Sequence, residues 1–190
     1  MPSLGDYTAR YPEVELDLAL YDRTVDLIEE GFEAAIRIGS LPDSGLIARP
    51  LIPYRMMICA SPDYIARRGE PRRPEDLADH HCIAFRYSAG SAWRMTNDEG
   101  TTSVQVAGAI QVNNGQAVRV AALNGLGVIM QPEILLAQDV LAGRLVRLLP
   151  DYELPSRPMH IIYLRDQHMS PKLRSFVDFV IERFGTSRSS

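Results

Sequence analysis

Strand-like and helix-like segments alternate along this chain, and that alternation excludes most architectures before any residue is singled out. Val14, Leu16, Leu18 and Leu20 occupy every second position of residues 14–20, with Glu15 and Asp17 between them, the pattern of a half-buried strand. Asp22 or Thr24 is placed to cap a short helix through Glu30, with Val25, Ile28 and Phe32 inward and Gly31 as its stop. The apolar run 34–38 is a second strand, and SLPDSG after it is a turn. Strand, helix, strand is a crossover unit of a parallel sheet. The expected class is therefore α/β.

The rest of the chain keeps to the pattern. LIARPLIPYRMMICASPDYI reads as one or two strands broken near Pro53, and GEPRRPEDLADHH as an exposed connection into a short helix around 74–78. CIAF, AWRMTND and the longer TSVQVAGAIQV are strands, with a turn at NDEG. GQAVRVAALNG is a helix closed by Asn124 and Gly125. LGVIMQP is a strand ended by Pro132, PEILLAQDVLAG a helix with Gly143 past its end, and RLVRLLP and RPMHIIYLRD are strands. Ser170 and Pro171 open a last helix whose stripe is Leu173, Phe176, Val177, Val180, Ile181 and Phe184, with Gly185 as its stop. TSRSS reads as a frayed tail. There is no internal repeat and no low-complexity tract.

A chain of 190 residues has room for one large domain or two small lobes. Net charge is only -4, with no bulk basic character of the kind a nucleic-acid-binding domain carries. Cys59 and Cys82 stand far apart without metal spacing, which favours reduced thiols in the cytoplasm over a disulfide framework. The first residues, MPSLGDYTARYPEVE, lack the basic and apolar regions of a secretory signal. No stretch approaches the ~20 apolar residues of a membrane span.

Five strings occur in one order: YPEVELDL, DLIEEGFEAAIRIGSLPDSGLIARPL, ICASPDYIARRGEPRRPEDLADHHCI, ALNGLGVIMQP and LAGRLVRLLP. Together they resemble the effector-binding domain of LysR-type transcriptional regulators over nearly the whole chain. The resemblance implies a two-lobe, periplasmic-binding-protein-like (type II) α/β fold with two crossover strands and a small effector between the lobes. MMICASP would be the first crossing and HIIYLRD the return. Lobe one would be 1–58 plus 162–190, and lobe two 59–161. The N-terminal winged helix-turn-helix domain would be absent from this chain, leaving it without specific DNA binding of its own. The first strand of lobe one, normally central in its sheet, would be missing too. The family also implies a homodimer through lobe one, tetramers at full length, no cofactor and no membrane association.

Candidate site residues follow from the strand ends, because ligands of open α/β sheets collect outside the carboxyl ends of the strands. Arg37 lies near such an end, and its guanidinium could hold an anionic effector. Equally, it could pair with Glu15, Asp17 or Asp43, or lie at the dimer face. Gly39 and Ser40 are placed at the rim. Ala60 and Ser61, at the crossing, offer backbone N–H groups and a hydroxyl suited to a carboxylate or carbonyl. Ser61 has no base spaced to make it a nucleophile, and no G-x-S-x-G elbow exists. Phe85, with Arg86 and Tyr87, could line the edge of lobe two. Asn113 and Asn114 are helix caps first, but the same geometry aims amides and helix N–H groups at a ligand. Gln131 and Pro132 end the next strand. His80 and His81 are adjacent and would point oppositely on a strand, a poor chelate, and His160 and His168 are isolated. The GLG at 125–127 follows a helix instead of opening one, so it is no dinucleotide fingerprint. An enzyme would need a convergent acid/base or nucleophile set that this chain lacks. The expected function is effector sensing for transcriptional control, the alternative a solute-binding protein of a transporter.

Overall fold

The structure, a computed structural model, describes residues 2–21, 26–41, 45–85, 92–106, 108, 110–165 and 169–186. In chain order the elements are α1 (Pro2–Arg10), β1 (Ala34–Ile38), β2 (Leu46–Tyr54), β3 (Met56–Ala60) and α2 (Pro62–Arg68). After a 3-10 helix (Pro74–Asp79) come β4 (Cys82–Phe85), β5 (Ala92–Asn97), β6 (Gly100–Gln105), β7 (Gln111–Val112) and α3 (Gly115–Leu123). The chain closes with β8 (Val128–Pro132), α4 (Glu133–Leu141), β9 (Val146–Leu148), β10 (Arg157–Leu164) and α5 (Pro171–Phe184). These form two compact units, Met1–Pro53 with Arg157–Ser190, and Tyr54–Ser156.

The first unit is built on a three-stranded sheet in the order β1-β10-β2. β1 runs antiparallel to β10, with Ala34 opposite Tyr163 and Ile38 opposite Met159. The Gly39 N–H extends the ladder to the Pro158 carbonyl at 2.8 Å. α5 begins where its sequence says it should: the Ser170 hydroxyl accepts from the Leu173 N–H at 3.3 Å, with Pro171 in the first turn. The six-residue stripe read from the sequence is buried or half-buried throughout, and Phe179 joins it. Phe179 is covered because Tyr7 of α1, fully buried, meets it edge-on at 5.2 Å and meets Phe176 at 5.4 Å. The Tyr7 hydroxyl shares a hydrogen bond with Ser175 at 2.9 Å, so the buried phenol keeps a polar partner.

Two expectations for this unit fail. Residues 14–20 form no ladder, and Leu18 and Leu20 are 46% and 81% exposed. Alternation supplies a strand-like face, but a strand also needs a neighbour, and among the described residues none pairs with this segment. The helix expected through Glu30 is a turn where it is described. Asp26 Oδ1 accepts from the Ile28 and Glu29 N–H groups at 2.8 and 3.2 Å, which ties the backbone into an Asx turn. Leu27 is therefore the buried residue and Ile28 is 69% exposed. Asp22, Thr24 and Val25 lie outside the described residues, as do Asp43, Arg86, Tyr87, His168 and most of the tail.

The second unit is one continuous stretch of chain around a five-stranded sheet in the order β7-β4-β8-β3-β9. β4 is parallel to β7 and to β8, whereas β3 is antiparallel to both β8 and β9. Successive strand residues face opposite sides, and the two sides have separate cores. Ile58, Ala60, Cys82 and Val128 pack with Tyr64, Leu77 and the β5–β6 hairpin residues Trp93, Met95 and Val104. Met57, Cys59, Ile83 and Ile129 pack on the other side with Val118 and Ala122 of α3, Leu136 of α4 and Leu145. Burying a side chain of this size stabilises by roughly 1.5–3 kcal/mol each. The expected long strand TSVQVAGAIQV is two, β6 and β7, in different sheets. At the break, a Cβ on Gly108 would collide with the Cys82 carbonyl, so the backbone there is pressed against β4.

The division between units also falls earlier than the sequence suggested, after 53 in place of 58 and after 156 in place of 161. The reason is pairing. All of β3 hydrogen-bonds within the second unit's sheet, while β10 pairs with β1 in the first.

Candidate functional site

In the second unit the parallel strands β7, β4 and β8 present their carboxyl ends along one edge. Phe85 ends β4 opposite Val112 of β7, and Asn113 and Asn114 follow directly. The Asn114 side chain caps α3, accepting from the Ala117 N–H at 3.0 Å. Gln131 and Pro132 end β8. The Gln131 side chain reaches across to the start of α3: a Cβ on Gly115 would sit 3.1 Å from its Oε1. Gln131 is only 4% exposed, whereas Asn113 and Asn114 are exposed and Phe85 is half-buried. The structure thus gathers Phe85, Asn113, Asn114, Gln131 and Pro132 at one edge, where the open end of a parallel sheet places ligands.

Ala60 and Ser61 are not part of that group. Because β3 runs antiparallel to β8, Met56 lies opposite Pro132 and Cys59 opposite Ile129. The carboxyl end of β3 therefore points to the far edge, roughly 13 Å away over four residues at ~3.3 Å each. There Ser61, 3% exposed, spends its hydroxyl on the Tyr64 N–H and caps α2. Arg67 closes the same corner with a 2.8 Å hydrogen bond from Nη2 to the Gly125 carbonyl. Gly125, at φ 69, is the helix stop anticipated from the sequence.

In the first unit Arg37 is half-buried near the end of β1 and directly opposite His160 of β10. Paired residues of an antiparallel ladder share a face, so the two side chains are neighbours, a relation invisible in the sequence. Nδ1 of His160 is buried without a hydrogen-bond partner among the described residues. Gly39 has φ 104 and open space where a Cβ would be, and Ser40 is exposed.

Sequence reasoning missed the charged cluster that braces α3. Asp139 of α4 is fully buried and receives Nε and Nη2 of Arg119, the latter at 2.9 Å, and Nε and Nη2 of Arg144 at 2.9 and 2.7 Å. The hydrogen bonds from Arg119, then those from Arg144, hold the Asp139 carboxyl below its ordinary value against the cost of burial. Burial pushes the Cys59 and Cys82 thiols up to about 12, so both are packing groups and not thiolate nucleophiles. They lie in the two separate cores, on opposite faces of the sheet. His80 shares a 3.1 Å hydrogen bond with the Tyr64 hydroxyl, which also accepts from the His81 N–H at 3.0 Å. Burial lowers the pKa of His80. No group of three or more His, Cys, Asp or Glu residues among the described ones could hold a metal ion. No described helix is long and apolar enough to cross a membrane. A separate polar hollow of about 310 Å³ lies beside the β5–β6 turn, lined by residues including Arg73, Glu75, Thr101 and Tyr152.

Comparison with known proteins places these features in context. The family model described as LysR substrate binding domain matches residues 1–185. An uncharacterized HTH-type transcriptional regulator, YhjC, of Escherichia coli K12 is 32% identical over 183 residues, covering 95% of this chain and 61% of YhjC. The regulator CrgA of Neisseria meningitidis (strain MC58) is 30% identical over 188 residues, with 98% of this chain and 62% of CrgA covered. The chain therefore spans about three-fifths of the length of these relatives. Among solved structures, the CrgA regulatory domain from Neisseria meningitidis superposes with a TM-score of 0.87 at 31% identity, covering 97% of this chain and 91% of that one. The full-length virulence activator AphB of Vibrio cholerae superposes at 0.84 and 28% identity, covering 96% and 62%.

Proposed function

Since the chain belongs to the LysR substrate-binding-domain family, and so has the α/β fold of the type II periplasmic-binding-protein kind, we propose that it is the effector-sensing part of a LysR-type transcriptional regulator. On this reading a small molecule binds preferentially to one conformation of the domain, and that bias is passed to a DNA-binding domain elsewhere in the protein. DNA contact belongs to that other domain. The working protein is cytoplasmic, a homodimer through the first unit and a tetramer at full length, with no cofactor and no reaction of its own.

The observation that carries the reading is the convergence of Phe85, Asn113, Asn114 and Gln131 at the carboxyl edge of β7, β4 and β8. An aromatic surface, amides and a helix start at one edge can hold and orient a small polar molecule, and they contain no acid/base or nucleophile pair. Arg37, Gly39 and Ser40 are proposed as ligand-facing residues at the end of β1 in the first unit. Ala60 and Ser61 are assigned to the fold in place of the site. The regulator relatives favour sensing over transport, since the similarity extends through the whole domain to proteins named as transcriptional regulators.

A thermal-shift screen of small molecules on the chain tests this. A true effector at 100 times its Kd stabilises by about 2.7 kcal/mol, and Asn113→Ala together with Phe85→Ala should remove that gain. Saturable binding that survives both changes, or conversion of the hit to a product, would reject the assignment.

A further inference from the structure

One hydroxyl ties three pieces of the second unit together. Tyr64 of α2 is 2% exposed. Its oxygen accepts from the His81 backbone N–H at 3.0 Å and lies 3.1 Å from Nδ1 of His80, with the two rings 5.7 Å apart. His80 closes the 3-10 helix, donating its backbone N–H to the Leu77 carbonyl at 3.2 Å. His81 is the last residue before β4, and its carbonyl accepts at 2.8 Å from the N–H of Val128, the first residue of β8. The backbone at 81 is thus held on one side by Tyr64 and on the other by β8. A Cβ on Gly127 would fall 2.3 Å from the same carbonyl, so the junction is tightly closed.

The hydrogen bonds at this hydroxyl balance in one protonation state of His80. A phenol has one proton to give. With His80 neutral and its proton on Nε2, Nδ1 accepts from the Tyr64 hydroxyl while the hydroxyl oxygen accepts from His81. In a protonated His80 both ring nitrogens are donors. Nδ1–H and the His81 N–H then compete for one oxygen, and the buried hydroxyl proton is left without an acceptor. The charged groups around the half-buried ring are mixed. Arg68 of α2 and the neighbouring His81 oppose a positive charge there, whereas Asp76 and Asp79 of the 3-10 helix favour one. Burial is the largest influence and lowers the pKa of His80.

We propose that Tyr64 and His80 form a proton-operated latch, closed when His80 is neutral, that holds α2 and the 3-10 helix on the entry of β4. The closed latch favours the neutral ring. Its contribution is therefore present above the ordinary histidine pKa of about 6.5 and is lost as pH falls through the lower folded value. β4 and β8 begin at this junction and end at Phe85 and Pro132, so acid acts at the opposite end of the strands from the candidate site. The latch needs no effector and stands apart from the effector-sensing reading.

Hydrogen exchange on the 190-residue chain at about pH 7.5 and about pH 5 brackets the histidine range. After correction for the intrinsic pH dependence of exchange, protection of residues 62–82 should fall roughly threefold or more relative to α3 on acidification. NMR titration should place His80 below an ordinary histidine. His80→Asn keeps an acceptor, Oδ1, in place of Nδ1 but has no proton to gain, so its protection should be the same at both pH values. Tyr64→Phe should have lost the protection already at the higher pH and show no further step. The latch is overturned if the unaltered chain keeps its protection in acid, if His80→Asn or Tyr64→Phe retains the step, or if His80 titrates at or above the ordinary value. If Tyr64→Phe does not fold, His80→Asn and the titration decide the matter.

Discussion

At the scale of single residues, Asp139 has the largest structural role among the charged groups. Two guanidinium groups satisfy a carboxylate with no exposed surface, and an amide there would set its N–H group against their donors. Asp139→Asn should lower unfolding free energy at neutral pH by about 2 kcal/mol, read from urea denaturation. Its folded pKa is depressed, so its contribution is present above the ordinary carboxylate range and is lost as pH falls through the lower folded value. The substitution should therefore flatten the acid limb of a stability–pH curve as well as lower its plateau. His160 makes the opposite case. Replacing it by Phe removes a buried, unpartnered nitrogen, and the change should be neutral or stabilising by up to about 1 kcal/mol in the same assay. Neither residue could be picked out from the sequence. Asp139 and Arg119 are twenty positions apart on separate helices, and His160 meets Arg37 only because β10 returns beside β1.

At the scale of elements, signals that depend on near neighbours were readable. Ser170, Pro171 and Gly185 bound α5 as written in the chain, and Asn114 caps α3. What depends on a distant partner was not. Residues 14–20 have strand alternation but no ladder, and TSVQVAGAIQV divides between two sheets. Ser61 shows the same limit at a candidate site. Its place after a strand looked like a ligand position, yet strand direction, which the sequence does not state, puts it at the opposite edge from Gln131. Ser61→Ala should accordingly cost about 1 kcal/mol as a lost helix cap, seen as a lower midpoint in chemical denaturation, with ligand affinity unchanged. Among the described strands β1 stands at an edge of its sheet, and Ile36 is half exposed. Open apolar edges promote strand-to-strand association, so Ile36→Lys should reduce concentration-dependent self-association in sedimentation velocity without altering the circular dichroism spectrum.

At the scale of the whole molecule, the two units differ in how the chain visits them. The second is continuous from Tyr54 to Ser156 and owns a five-stranded sheet with a core on each face. A fragment of residues 54–156 should fold alone, with a single cooperative thermal transition and protected amides in β3, β4 and β8 by hydrogen exchange. The α/β class and the existence of two crossings were legible, because alternation of elements and short apolar strands survive any arrangement. The positions of the boundaries were not, because they depend on which sheet claims each crossing strand. The first unit has the opposite economy. β10 stands between β1 and β2 in its sheet, yet the ribosome delivers it only after the entire second unit has been made. During synthesis, β1 and β2 must wait beside one another with no shared strand to join them, while the later-made half of the protein is already able to close. Until β10 is made, β1 and β2 lack the strand that joins them, and chaperone dependence in the cell should trace to these two strands.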